Sequence, residues 1–330
     1  MLFRSYTLSL QALLYLRAGS FWIGWENEKV ALCARKSLAL FQKIGDEKGI
    51  AWAIRLQGNL NYDQGDREQA VPLLEQSLKL AGKLDDRALI TWNYHILGWI
   101  AVVRADYSEA ANVGDRGLAL AYETGDGRAQ TSLLFLLGET ANRQGEFARA
   151  EALYSQALII ARNLKDSLIA ARILNQTGEA ARRQKKYIQA EASYLECLAI
   201  FRDVHGWEKL AVPLSNLGHV AVRRGDPGRA VHYFQESIES DEEISTWNIW
   251  GMGVVAAALG RPRQAARLYA VVDKLVEADI RNIVYREDRE DFRRDVDSVR
   301  EQLDEASFTA AWAEGRAMSP EEAIAYALKG

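Results

Sequence analysis

The stretch LGETANRQGEFARAEALYSQAL, Leu137–Leu158, decides the fold because it places two glycines seven residues apart within an otherwise helical pattern. A glycine inside a helix costs about 1 kcal/mol relative to alanine, so Gly138 needs a structural reason. A small residue where two antiparallel helices cross lets them approach closely and admits a large side chain from the partner helix. Gly145, followed by a polar residue, suits the left-handed position that ends a helix. The stretch therefore predicts a pair of helices joined at Gly145.

The same pattern returns along the chain with a fixed period. Glycine occurs at positions 58, 98, 138, 178 and 218, a spacing of 40 residues each time. After Gly145, apolar residues recur at helical spacing, at Phe147, Ala150, Tyr154 and Ala157. Such a period is the sequence signature of a solenoid, in which neighbouring helix pairs stack on one continuous core. The register gives about seven units, which start near residues 11, 51, 91, 131, 171, 211 and 246.

The order of small and aromatic residues within one unit resembles the tetratricopeptide repeat. Gly138, Gly145, Ala150, Tyr154 and Ala157 match its small, glycine, alanine, aromatic and alanine positions in order. The unit is longer than the usual repeat of about 34 residues and looks like the 40-residue variant. The resemblance covers roughly residues 11–280. It implies an all-α, right-handed superhelical α-solenoid of about seven helix-turn-helix units, which we assign to residues 1–280.

Residues 281–330 have a different character, which favours a C-terminal helical cap on the last repeat. Residues 281–304 are dense in charge, which is typical of a solvated helix face, although Phe292 and Val299 keep a helical stripe. Further on, Ser319 and Glu322 have the spacing of a capping box at the start of a helix.

The closing segment, Phe308–Leu328, is similar to the ends of bacterial signal-transduction ATPases and LuxR-type transcriptional regulators. In those proteins a tetratricopeptide-like sensor region accompanies a nucleotide-binding switch and often a DNA-binding domain. The sequence contains no G-x-x-x-x-G-K-[ST] loop. The resemblance therefore implies a sensor or scaffold role for this chain, without nucleotide switching or direct binding of nucleic acid.

The composition argues against several classes of function. A formal net charge of −4 gives no general attraction to nucleic acid or to anionic membranes. Two cysteines cannot build a disulfide framework and are expected as thiols in the cytoplasm. The four histidines do not stand at metal-ligand spacing with the cysteines. We expect no catalytic residues, no metal and no cofactor, so the chain is not expected to be an enzyme.

In tetratricopeptide solenoids, the first helix of each unit lines a concave groove, and its register can be transferred to this sequence. Among the residues that this register places in the groove, arginines outnumber aspartates and glutamates, so the groove is expected to carry a positive charge. Tryptophan and arginine dominate the energy of protein interfaces, and asparagine can hold a peptide backbone. The resemblance implies ligand-binding roles for Trp52, Arg55, Asn59, Trp92, His95, Trp99, Phe135, Glu139, Asn142, Arg172, Asn175, Glu179, Arg182 and His219.

Recurrence separates structural residues from ligand contacts within this set. Arg143, Arg183 and Arg223 occupy the same register, which favours stacking on the next unit, whereas residues that do not recur are better ligand candidates. The favoured partner is a protein or peptide segment with acidic groups or a terminal carboxylate. A sensor of sugars or metabolites and a structural or oligomerisation module, with another copy in the groove, remain alternatives.

Overall fold

The structure, a computed structural model, describes residues 8–17, 27–203, 210–240, 246–278 and 286–329. Within these ranges the chain forms helices joined by turns, without a strand. The helices are α1 (8–17), α2 (Asn27–Ile44), α3 (Glu47–Asp63), α4 (Arg67–Lys83), α5 (Arg87–Val103), α6 (Tyr107–Thr124), α7 (Gly127–Arg143), α8 (Phe147–Asn163), α9 (Ser167–Arg183), α10 (Tyr187–Asp203), α11 (Ala211–Arg223), α12 (Pro227–Glu239), α13 (Thr246–Ala258), α14 (Pro262–Ala278), α15 (Arg286–Arg300), α16 (Glu305–Ala317) and α17 (Pro320–Leu328).

The odd-numbered helices from α3 to α13 are the first helices of the repeats, and each packs most extensively on the helix that follows it. An aspartate starts many of them. The side chains of Asp46, Asp86 and Asp126 accept hydrogen bonds from backbone N–H groups in the first turns of α3, α5 and α7. An aspartate at this place satisfies backbone donors that have no partner within the helix. The helices α3, α5, α7 and α9 begin four residues before the expected starts of their units, whereas α11 and α13 begin at the expected residues 211 and 246.

The structure confirms that the helix crossing requires a small residue at Gly138. A β-carbon on Gly138 would lie 2.5 Å from Cε1 of Tyr154, so only glycine leaves room for the tyrosine ring of α8. Gly178 stands in the same relation to Tyr194 of α10, also at 2.5 Å. Gly145 has a φ of +79°, the left-handed conformation expected at the end of α7.

The chain divides into two compact units, residues 1–164 and 165–330. In the second unit, the C-terminal helices share one core with the last repeats. Phe308 of α16 and Ile324 of α17 are buried together with Trp250 of α13. The capping box at the start of α17 is confirmed, since the Ser319 side chain accepts from the Glu322 backbone and the Glu322 side chain accepts from the Ser319 backbone. The predicted boundary at residues 280 and 281 lies outside the described residues.

Both cysteines are free thiols. Burial in α10 raises the pKa of the Cys197 thiol to about 12. None of the described helices combines the length and the apolar character needed to cross a membrane.

Candidate ligand-binding faces

The predicted groove residues lie on first helices in both units, so each unit presents a face of its own. The N-terminal face is formed by the groove-register side chains of α3, α5 and α7, namely Trp52, Arg55, Asn59, Trp92, His95, Trp99, Phe135, Glu139 and Asn142. The C-terminal face is formed by those of α9, α11 and α13, namely Arg172, Asn175, Glu179, Arg182, Arg183, His219, Arg223, Trp247 and Trp250.

On the N-terminal face, Arg55 lies between two tryptophans. Its guanidinium carbon is 5.5 Å from the ring centroid of Trp52 and 5.6 Å from that of Trp92. The Trp52 ring is fixed, because its indole N–H donates to Oδ2 of Asp86 over 3.0 Å. The ammonium of Lys48 lies 3.2 Å from the same oxygen. Asp86 therefore holds the aromatic wall and the start of α5, while Trp52 and Trp92 offer their π faces to the guanidinium.

Arg55 has no partner for its charge among the described residues. Its side chain is partly exposed, but its Nε atom is buried without a hydrogen-bond partner. Burial lowers the pKa of Arg55 to about 10, so the guanidinium stays charged at neutral pH. A charged donor in this state attracts an acceptor that carries negative charge.

Next to Arg55, the side chains of α5 form a continuous aromatic surface. Trp92 meets His95 edge to face, with ring centroids 5.6 Å apart. The indole N–H of Trp99 donates to Nε2 of His95 over 3.1 Å. Nε2 of His95 is therefore the acceptor of this bond. All three side chains are partly exposed, whereas Asn59 on α3 is only 7% exposed.

Three predicted groove residues of α7 are buried instead of facing an open groove. Phe135, Glu139 and Asn142 are at most 4% exposed. The Tyr154 hydroxyl donates to Oε2 of Glu139 over 3.2 Å, and Nε of Arg143 donates to Oε1 over 2.7 Å. These side chains are buried because α7 is enclosed by its neighbouring helices, so its polar groups must find partners within the protein.

The buried glutamate recurs with the repeat. Glu179 stands 40 residues after Glu139, and the Tyr194 hydroxyl donates to its Oε1 over 2.6 Å. A contact that returns in the same register belongs to the packing of the repeat. Glu139 and Glu179 were predicted as ligand contacts, but in the structure both carboxylates accept from the tyrosine of the following helix and so take part in the packing of the repeats.

On the C-terminal face, the chain's own helix α15 meets the predicted groove arginines. Nη1 of Arg182 donates to Oδ1 of Asp288 over 2.9 Å, and Nη2 donates to Oε2 of Glu179 over the same distance. Arg182 is 7% exposed and Asp288 is 2% exposed. Glu179 and Arg182 are thus covered by α15, which the sequence did not predict.

A second set of contacts secures α15 along the same face. Arg223 forms a bidentate pair with Asp295, with distances of 2.8 Å from Nη1 to Oδ1 and 2.5 Å from Nη2 to Oδ2. The indole N–H of Trp250 donates to Oδ2 of Asp295 over 2.8 Å. Arg183 lies 3.8 Å from Oε2 of Glu287. Acidic side chains of α15 therefore neutralise three arginines of the predicted groove.

Burial and the neighbouring charges shift the pKa values of the two acids in the Glu179–Arg182–Asp288 cluster. Burial alone would raise the pKa of Glu179, but Arg182, the Tyr194 hydroxyl and Arg183 outweigh it and hold that pKa below its usual value. Burial raises the pKa of Asp288, and the opposing attraction of Arg182 does not fully offset it. The cluster thus favours the ionised form of Glu179 more than that of Asp288.

His219 of the C-terminal face is another predicted groove residue that the structure buries, at 3% exposure. Its ring centroid lies 4.4 Å from that of Trp247, and its Nε2 lies 2.9 Å from the Trp247 carbonyl oxygen. Burial, reinforced by the charges of Arg182 and Arg223, lowers the pKa of His219 to about 3. The ring is therefore neutral, and Nε2–H donates to the carbonyl.

Arg172 and Asn175 stand on the outer part of the C-terminal face. Arg172 is exposed, and Asn175 is partly exposed. Oδ1 of Asn175 accepts a hydrogen bond from Nδ2 of Asn216 over 3.3 Å. Their role in ligand binding remains a prediction.

Sequence reasoning missed the acidic residues of α15, although a signal was present. Asp288, Phe292, Asp295 and Val299 follow one another at spacings of four, three and four residues, which places all four on one helix face. The structure turns this face inward, with Phe292 and Val299 buried. The assignment of the charged run to a solvated face was wrong for these two aspartates.

Comparison with known proteins identifies the repeat. The tetratricopeptide repeat family matches residues 128–203 and 170–243, and a second form of the same repeat matches residues 250–270. The chain therefore contains tetratricopeptide repeats within residues 128–243 and 250–270. No curated protein matches its sequence.

Solved structures of tetratricopeptide-repeat proteins share the fold. The apo form of the quorum sensor NprR from B. thuringiensis superposes with a TM-score of 0.60 at 12% identity and covers 97% of both chains. NprR in complex with its cognate peptide NprX gives 0.57 at 16% identity over 94% of both chains. The signal-transduction ATPase PH0952 from Pyrococcus horikoshii, which has a tetratricopeptide repeat sensor, gives 0.57 at 14% identity. That match covers 68% of this chain and 36% of PH0952, and identities this low show the fold alone.

Among the described residues, no group of three or more histidine, cysteine, aspartate or glutamate side chains could hold a metal ion. The chemistry that the two faces offer is recognition by charge, aromatic surface and hydrogen bonding.

Proposed function

We propose that this tetratricopeptide-repeat protein is a non-catalytic scaffold that binds a protein or peptide segment on its N-terminal face. One observation carries the proposal. Arg55 lies partly exposed between Trp52 and Trp92 without a carboxylate from the described residues. On the C-terminal face, by contrast, Arg182 and Arg223 already pair with the chain's own α15.

The chemistry of the N-terminal face supports this function. Tryptophan and arginine contribute most of the binding energy in protein interfaces, because they bury a large surface and can also form polar contacts. Partly exposed Trp92, His95 and Trp99 extend the aromatic surface along α5 from Arg55. NprR, which has a similar fold, forms a complex with the peptide NprX, and this supports a peptide as the class of ligand.

We further propose that binding serves a sensor role within a bacterial regulator. PH0952 joins a tetratricopeptide repeat sensor to a signal-transduction ATPase, and this chain spans 36% of its length. A stacked array of repeats suits this role, because a ligand that contacts several units couples their positions. The free thiols Cys33 and Cys197 are the state that the cytoplasm maintains.

Screening a library of random N-acetylated dodecapeptides against the immobilised chain tests the proposal. Trp92→Leu removes aromatic surface beside Arg55, and Trp312→Leu, which removes a ring stacked on Phe308 in the C-terminal unit, is the matched control. We expect peptides that bind with micromolar dissociation constants. Their affinity should fall at least tenfold with Trp92→Leu and stay unchanged with Trp312→Leu. Absence of any binding peptide, or peptides indifferent to Trp92→Leu, would refute a peptide site on this face.

Two measurements on the wild-type chain distinguish the alternative functions, a metabolite sensor and an oligomerisation module. Saturable quenching of tryptophan fluorescence by sugars, in the absence of any peptide that binds, would support a metabolite sensor. A dimer in light scattering that Trp92→Leu dissociates would assign the N-terminal face to a second copy of the chain.

A further inference from the structure

On the C-terminal face, arginines that lie beside tryptophans pair with aspartates of the same chain. The guanidinium carbon of Arg182 lies 4.8 Å from the ring centroid of Trp247, and the same guanidinium is paired with Asp288. Arg223 and the indole N–H of Trp250 together hold Asp295. Both occupants are aspartate side chains of one helix.

The N-terminal face repeats this arrangement without the aspartate. Arg55 lies over Trp52 and Trp92 at 5.5 Å and 5.6 Å, close to the separation between Arg182 and Trp247. The nearby Asp86 does not serve as its partner, because Asp86 accepts from Trp52 and caps α5. Arg55 is the groove arginine whose buried Nε has no hydrogen-bond partner and for which the described residues provide no acid.

We infer that Trp52, Arg55 and Trp92 form a subsite for an aspartate or glutamate side chain of the bound segment. This inference rests on the proposed function and names the chemistry of its ligand. A guanidinium presents parallel N–H donors that match the two oxygens of a carboxylate, as in the Arg223–Asp295 pair. The tryptophan rings exclude water from both sides of Arg55 and so weaken the screening of the new ion pair.

Helix α15 also indicates the pattern of a suitable ligand. Its aspartates alternate with buried apolar residues, since Phe292 follows Asp288 by four residues and Val299 follows Asp295 by four. On the N-terminal face, the aromatic surface from Trp92 to Trp99 would receive the corresponding apolar residue. The inferred ligand is therefore a segment with an acidic residue and an apolar residue about one helical turn apart.

The experiment is a double-mutant cycle on peptides from the dodecapeptide library. Each binding peptide is resynthesised with Asp→Asn and Glu→Gln changes, and separately with an amidated C-terminus. Each form is titrated against the wild-type chain, Arg55→Met and Arg55→Lys. Arg87→Met is the matched control, because Arg87 is an exposed arginine of the same unit that pairs with Glu123 over 2.7 Å.

Neutralising one acidic side chain of the peptide should weaken its binding to the wild-type chain at least tenfold. Arg55→Met should weaken binding of the unmodified acidic peptide by a similar factor. The two changes together should cost no more than either alone, and Arg55→Lys should restore part of the affinity. Arg87→Met should leave all affinities unchanged.

Two outcomes would overturn the inference while the proposed function stands. One is binding that depends on Trp92 but not on acidic side chains or on Arg55. The other is binding lost on amidation of the C-terminus alone, which would assign Arg55 to a terminal carboxylate. Because the peptide changes are measured on the wild-type chain, a variant that fails to fold does not remove the test. Absence of any binding peptide would refute the inference together with the proposed function.

Discussion

The buried His219 makes the stability of the C-terminal unit depend on pH in a way that one substitution can isolate. The ring packs against Trp247, and Nε2–H donates to the Trp247 carbonyl while burial lowers the pKa of His219 to about 3. The folded protein therefore keeps this histidine neutral at a pH where an unfolded chain protonates it. Replacing it with glutamine keeps an N–H donor and removes the titration.

The sign and the size follow from the two pKa values. The folded pKa is lowered from 6.5 to about 3, so the contribution to stability is complete above pH 6.5 and is lost as the pH falls. Each pH unit between these values costs about 1.4 kcal/mol, which gives a loss of about 2 kcal/mol between pH 7.5 and pH 5. A folded pKa of 4 would give nearly the same loss, because both values lie well below pH 5.

Urea unfolding of the wild-type chain and His219→Gln, followed by circular dichroism at pH 7.5 and pH 5, measures this loss. His219→Gln is expected to be less stable at pH 7.5, but its unfolding free energy should fall by about 2 kcal/mol less than that of the wild type on acidification. The exposed His232 provides the control His232→Gln, which should follow the wild type. Equal losses in the wild type and His219→Gln would refute the reasoning, because other titrating groups cancel in the comparison.

Three further variants test the packing of the repeats and of α15. Gly138→Ala should lower the unfolding free energy by about 1–2 kcal/mol in urea titrations, because its β-carbon would lie 2.5 Å from Tyr154; an unchanged midpoint would contradict this. Glu179→Gln should cost about 3 kcal/mol in the same assay, since it leaves the charge of buried Arg182 less compensated, and a loss below 1 kcal/mol would show that the pair is not needed. Asp288→Asn combined with Asp295→Asn should accelerate amide hydrogen exchange in α15 at least tenfold while leaving α3–α7 unchanged, and unaltered exchange would show that these aspartates do not hold the helix.

Much of the fold is predictable because each repeat follows local rules. Gly138, Gly145 and Tyr154 encode one crossing and one turn, and the same rules apply again 40 residues later. Contacts in such an array join neighbours, so a periodic sequence is enough to identify them. The register of the first helices likewise predicts that Trp52, Arg55 and Trp92 share a face.

Which of the predicted groove side chains stay accessible to a ligand is less predictable. The register predicts both Glu139 and Arg55 as groove residues. Glu139 is buried with Tyr154 and Arg143 as partners, whereas Arg55 lies between Trp52 and Trp92 without an acidic partner among the described residues. Which side chain finds an internal partner depends on the packing of adjacent helices. Glu139 and Glu179 were both predicted as ligand contacts, although their recurrence 40 residues apart was a signal for a structural role. No comparable signal separated Phe135 or Asn142 from the open positions.

The sequence by itself determined the all-α repeat, its period and the glycine positions at its crossings and turns. Those features follow from local sterics, helix capping and the spacing of apolar residues. Only the tertiary structure decided that α15 lies on the C-terminal face and leaves the N-terminal face as the candidate site. That choice depends on pairs such as Arg182 and Asp288, which are 106 residues apart and meet because burial makes each charge need the other.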